Sequence, residues 1–111
     1  MIITTGTDIP GHDVHRVIGI VKGSSIRSSH VGKDITAFMK NLIGGEIEEY
    51  TKMMAEAREQ AFDRMADQAR LHGATAIIGV RFSTSFIVSG AAEFLAYGTA
   101  VEVRNDGSRP D

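Results

Sequence analysis

No cysteine occurs among the 111 residues. That absence removes disulfides, thiolate zinc sites, iron–sulfur clusters and cysteine nucleophiles together. Any metal would have to be held by histidine or carboxylate. Long apolar runs are missing too: no stretch approaches the roughly 20 residues that span a bilayer. The opening Met1-Ile2-Ile3-Thr4-Thr5-Gly6 lacks the basic region and apolar segment of a signal peptide. The cytoplasm is the default expectation, with no membrane partner. Nor is positive charge in excess. With 12 Lys and Arg against 14 Asp and Glu the formal net charge is −2, which argues against nucleic acid, whose binders gain affinity by displacing counterions with many cations. Phosphate-cradling motifs are absent as well. There is no Gly-x-Gly-x-x-Gly, and Gly19-Ile20-Val21-Lys22-Gly23-Ser24-Ser25 has the wrong spacing for a phosphate loop.

What is present is one domain's worth of material, 42% hydrophobic and 23% charged, as in a soluble globular protein. The expected domain covers 1–103, with 104–111 a flexible C-terminal tail lacking periodicity. The chain is organised around one stretch, 46–72, which reads as a long amphipathic helix. Ile47, Tyr50, Met54, Ala57, Ala61, Met65 and Ala69 fall on one side, and Glu48, Lys52, Glu56, Glu59, Asp63, Asp67 and Arg70 on the other. Gly44-Gly45 precede it, Gly73 is placed to end it, and His72 sits in its last turn, where a positive ring suits the macrodipole. Arg58 and Gln68 break the pattern by projecting into the apolar sector. A guanidinium there needs a partner. Either its stem lies over the core while its head reaches water or a carboxylate, or it contacts an anion or ligand. Met53, Met54 and Met65 read as adaptable core filler rather than a thioether metal site.

Along the chain, 1–5 forms a short strand and Asp8-Ile9-Pro10-Gly11 a turn. A second strand runs over about 12–26, in which Gly19 and Gly23 mark a bulge or a close backbone approach. A shorter helix is expected over 32–43, from Val31, Ile35, Phe38, Met39, Leu42 and Ile43 at helical spacing. A third strand covers 76–88, with Ile78, Val80, Phe82 and Phe86 on one face. A fourth covers 93–103, with a small face of Ala96, Gly98 and Ala100 that lets another element come close. The order strand, strand, helix, helix, strand, strand implies an α+β two-layer sandwich: a small, mainly antiparallel sheet packed on a long helix. Little protects the edge over 76–82. The charges are also divided. Between residues 14 and 43, Arg16, Lys22, Arg27, Lys33 and Lys40 face Asp34 alone, whereas 46–67 is mainly acidic. Open edges and oppositely charged halves suggest a ring of identical subunits, joined head to tail.

Candidate sites compete with ordinary structural roles. His12-x-x-His15 has chelate spacing, but residues three apart on a strand point to opposite faces, so surface imidazoles are the simpler reading. His30 could act as a base for Ser28 or Ser29, yet no third residue is spaced to orient it. Glu46, Glu48 and Glu49 suit the positive end of a helix, as does Asp34. No residue is assigned as catalytic or as a metal ligand, and no cofactor is implied.

An ordered set of blocks does point to a family. Met1-Ile2-Ile3-Thr4-Thr5, Gly19-Ile20-Val21-Lys22-Gly23, Gly32-Lys33-Asp34, Gly44-Gly45-Glu46-Ile47-Glu48-Glu49-Tyr50, Ala57-Arg58 with Met65, Gly73-Ala74-Thr75-Ala76-Ile77-Ile78-Gly79-Val80 and Tyr97-Gly98-Thr99-Ala100-Val101 together resemble the YbjQ-like family of small bacterial and archaeal proteins, labelled heavy-metal-binding. The resemblance covers about 1–103. It implies a dodecin-like subunit that assembles into a ring-shaped homopentamer through extra short strands, and it carries over no reaction or catalytic residue. Gly44, Gly45, Tyr50, Arg58, Gly73 and Gly98 match the family pattern, in roles that packing alone accounts for.

These readings favour an oligomeric, non-catalytic binding module whose ligand, a metal ion or small anion, sits where copies meet. The alternatives are a structural or adaptor ring that binds another protein, and an enzyme using Arg58, Asp34 or His30 in an interfacial cleft.

Overall fold

The computed structural model describes residues 1–28, 45–87 and 91–107, with backbone alone at 28 and 45–50. The helix expected over 32–43 lies outside the described residues, as do Ser29, His30 and Asp34. The elements are β1 (Ile2–Ile3), β2 (His12–Ser28), α1 (Gly45–Leu71), β3 (Ala76–Ile87) and β4 (Ala91–Asn105). Among the described residues four strands form one sheet in the order β1-β3-β4-β2. The β1–β3 pair is parallel, and β3–β4 and β4–β2 are antiparallel. The last two strands pair along their length, from Ala76 opposite Val101 to Ile87 opposite Ala91. β4 runs beyond Val103, Arg104 and Asn105 pairing with Asp13 and His12.

The helix α1 covers one face of this sheet, chiefly over β2 and β4. Its expected apolar stripe is the stripe that packs: Ala57, Ala61, Met65 and Ala69 are wholly buried, with Met54 and Phe62 packed against them. Opposite them lies the small face of β4, Ala92, Ala96 and Ala100, with Phe94 filling the space that small residues leave. Small side chains on both layers allow a close approach, and Gly23 of β2 makes it closest. A Cβ there would run into the Ala61 carbonyl oxygen, the Met65 amide nitrogen and the Arg64 Cβ. The helix ends as its sequence suggests. Gly73 takes a φ of 80°, its amide donates to the Arg70 carbonyl and the Ala74 amide to that of Ala69, which is the Schellman arrangement.

Bulges alter which residues share a face. Ile78 pairs with Thr99 but Arg81 with Tyr97, so β3 holds an extra residue beside Gly79, whose φ is 63°. Ile77 therefore joins Val80 in the core while Ile78 is only half-buried, a correction to the simple alternation expected for this strand. β2 carries shifts between Val14 and Arg16 and between Val17 and Gly19. Each of the two β2 glycines takes one of the roles expected of the pair, Gly19 at a bulge and Gly23 at the close approach.

The edge over 76–82 is better covered than expected. β1 pairs with Ala76 and Ile77, and the Gly79 and Val80 amides donate to the carbonyls of Gly6 and Thr4. Arg81 holds this segment by donating to the Thr5 carbonyl at 2.9 Å. Beyond Arg81, β3 projects with every residue to Ile87 exposed. The chain measures 57 × 25 × 18 Å with a radius of gyration of 18.1 Å, against about 13 Å for a compact domain of this length. Its accessible surface is 7191 Å², about a fifth above the value expected for a folded monomer of this mass.

Candidate functional site

The projecting half of β3 is where unmet bonding capacity concentrates. Among the described residues no strand pairs with its outer edge beyond Val80. A strand edge presents backbone donors and acceptors that can template another strand. Phe82 and Phe86 lie opposite Ala96 and Ala92, on the face that carries the helix, but α1 sits over β2 and β4. Phe86 is therefore 76% exposed, and Ile87, on the opposite face, is 44% exposed. Phe82 keeps one contact with the helix, stacking on Phe62 with centroids 6.2 Å apart and planes 14° from parallel. On the sheet's other face Ile20 and Ile26, in alternation with the helix-facing Val21, Gly23 and Ser25, are 79% and 59% exposed.

Arg58 belongs to this neighbourhood. It lies one turn from Met54 and one from Phe62, on the helix flank that turns toward β3. Its side chain is exposed and makes no hydrogen bond or ion pair with another described residue. The buried stripe is centred on Ala61, so position 58 falls at the stripe's border and its head reaches solvent. Of the two readings open for Arg58, the snorkelling one describes this geometry.

Gln68 has a different task on the opposite flank. Its side-chain oxygen accepts the Lys22 amide at 2.7 Å. Arg64 donates to the Ser24 carbonyl at 2.6 Å, and the Ser25 hydroxyl donates to the Gln60 oxygen at 2.8 Å. Gln60, Arg64 and Gln68 recur every fourth residue and so form a row along β2. Sequence reasoning singled out Gln68 alone, as an interruption of the apolar stripe. The shared spacing of the three was the available signal. Below this row a shallow cleft of about 400 Å³ is lined by Lys22, Gln68, Glu93 and Leu95 among others.

The two N-terminal histidines do not converge. His12 donates from Nδ1 to the Pro10 carbonyl at 3.2 Å. His15 instead brings Nε2 within 3.9 Å of Glu102 Oε1, and Arg16 stands 3.6 Å from the other carboxylate oxygen. The bulge at this point turns two successive side chains toward one carboxylate. Such a pair supplies a metal with two donors, and the guanidinium already competes for one of them. Among the described residues there is no group of three or more His, Cys, Asp or Glu able to hold a metal ion, so one copy's described residues do not fit a metal centre. His72, exposed at the helix end, donates from Nδ1 to the Gln68 carbonyl at 2.9 Å. Ser29, His30 and Asp34 lie outside the described residues, and no side-chain geometry is described for Ser28, Glu46, Glu48 or Glu49. No described helix is long and apolar enough to cross a membrane.

Comparison with known proteins places this geometry in a wider set. The family model YbjQ_1, described as "Putative heavy-metal-binding", matches residues 1–104. A UPF0145 protein of Methanoculleus marisnigri is 53% identical over 103 residues, covering 93% of this chain and 96% of that protein. One from Thermosipho africanus is 54% identical over 104 residues, covering 94% and 96%. One from Thermus thermophilus is 50% identical over 103 residues, covering 93% and 90%. Among solved structures, a protein of unknown function of the DUF74 family from Pediococcus pentosaceus superposes with a TM-score of 0.64 at 19% identity, over 94% of this chain and 98% of that one. That likeness shows the fold.

Proposed function

Since this chain belongs to the YbjQ_1 family over nearly its whole length, we propose that it works as a self-assembling, non-catalytic binding module of the cytoplasm. Its working form is a closed ring of copies, five being the number to test, and its small ligand, a metal ion or small anion, sits where copies meet. The observation that carries the reading is the bare half of β3, an unpaired strand edge flanked by exposed Phe82, Phe86 and Ile87. The family description supports a metal as ligand. The described donors of one copy, His15 and Glu102, make an incomplete set, which donors from a neighbouring copy would complete where copies meet.

Two measurements test this. Light scattering and native mass spectrometry of the untagged protein should give one fixed stoichiometry at micromolar concentration, and Phe82→Ser with Phe86→Ser should lower it while leaving the circular dichroism spectrum in place. A monomer throughout the concentration range refutes the assembly. Metal analysis after chelator-free purification, followed by titration with zinc, copper and nickel, tests the ligand. Lack of saturable binding removes the metal.

A further inference from the structure

We propose that Gln60, Arg64 and Gln68 act as a guard along β2, closing that edge to strand addition so that copies join through the β3 edge and assembly stops at a finite size. Among the described residues β2 is the outermost strand on its side of the sheet. The Lys22 amide and the Ser24 carbonyl, two residues apart, belong to its outer edge, and an incoming strand would use both. Both are already taken, by Gln68 at 2.7 Å and Arg64 at 2.6 Å. The second bond is charge-assisted and so costs more to displace than a neutral one. Gln60 fixes the end of the row by accepting from Ser25, whose side chain is buried at 1% exposure. The close seat of the helix on Gly23 brings these side chains within reach of the strand's edge.

The first half of β2 is defended by other means. Its register shifts at Val14/Arg16 and Val17/Gly19 interrupt the regular spacing that a partner strand needs. On the far side of the sheet β1 covers β3 as far as Val80. What remains, among the described residues, is the outer edge of the two-residue β1 and the run of β3 after Arg81, the longer of the two, which has neither bulge nor covering side chain. Its occupant is a second copy of this chain, presenting an extended strand. The identity of that occupant rests on the proposed self-association, whereas the guard is a property of a single chain.

The test is a double variant, Arg64→Ala with Gln68→Ala, compared with the natural chain by light scattering across a hundredfold concentration range and by amide hydrogen exchange at Lys22. Exchange at Lys22 should rise at least tenfold in dilute solution, and the particle size should grow with concentration past the natural chain's plateau. Adding Lys22→Pro should return the size to that plateau, because proline offers an incoming strand no donor and is tolerated on an edge. If the double variant fails to fold, Gln68→Ala alone, which removes only the acceptor of the Lys22 amide, takes its place. The guard is overturned if Lys22 exchanges faster and the size distribution stays that of the natural chain, or if Lys22→Pro leaves the enlarged particles unchanged. A monomeric natural chain whose double variant polymerises would sink the ring and keep the guard. A finite natural oligomer matched by its double variant would do the reverse.

Discussion

Replacing Gly23 by alanine adds one methyl group at the tightest point between helix and sheet. The atoms it would meet are the Ala61 carbonyl oxygen, the Met65 amide nitrogen and the Arg64 Cβ, all fixed to the helix backbone, so no rotamer change can make room. The helix must retreat as a body by on the order of 1 Å, a gap that forfeits about a quarter to a half of the dispersion energy across the contact. Overpacking of this kind costs about 1–3 kcal/mol. The bonds from Arg64 to Ser24 and from Lys22 to Gln68 lengthen together, adding about 1 kcal/mol. The expected loss is therefore about 3 kcal/mol, or a fall in Tm of roughly 10–20 °C, read by urea and thermal denaturation at one fixed protomer concentration, since association raises apparent stability. Gly98→Ala is the control. Its clashes, with the Ile77 Cγ2 at 2.8 Å and with the Ile78 carbonyl oxygen and Val80 Cγ2 at 3.1 Å, are milder than those at Gly23, and the expected cost is about 1–2 kcal/mol. Gly23→Ala within about 0.5 kcal/mol of the natural chain, or less harmful than Gly98→Ala, would refute the reasoning.

Further outcomes follow from the same packing. Met65→Ala empties a side chain at 0% exposure and should cost about 3 kcal/mol in urea unfolding. Gly73→Ala forces a φ of 80° on a residue with a Cβ and should cost about 1 kcal/mol, seen as a lowered Tm with unchanged helix content. Glu102→Gln removes the shared partner of His15 and Arg16, whose side chains are 43% and 55% exposed. Screening by solvent limits that loss to below about 1 kcal/mol, and a larger shift in chemical denaturation would mean that the cluster is more than a surface ion pair.

Some of the molecule could be read locally and some could not. The stripe of Ala57, Ala61, Met65 and Ala69 and the terminating Gly73 are properties of neighbouring residues, so spacing and turn chemistry located the helix to within a residue at each end. The small face of β4 was legible for the same reason. The candidate site was legible only in part. Unprotected edge was expected over 76–82, but β1 with the following Thr4 and Gly6 covers that stretch as far as Val80, and the bare part lies farther along, at Phe82 to Ile87. A parallel partner from the other end of the chain leaves no mark in the local pattern.

Sequence by itself determined the element types, the long helix and which of its faces is apolar, because periodicity reports what each residue must do with its own neighbours. Tertiary structure alone decided the bulges that move Ile77 into the core, the exposure of Arg58, and the row of Gln60, Arg64 and Gln68 on β2. The row depends on pairings between residues 35 to 46 positions apart and on a helix seat set by the missing side chain of Gly23. Such distances are settled only when the layers close on one another.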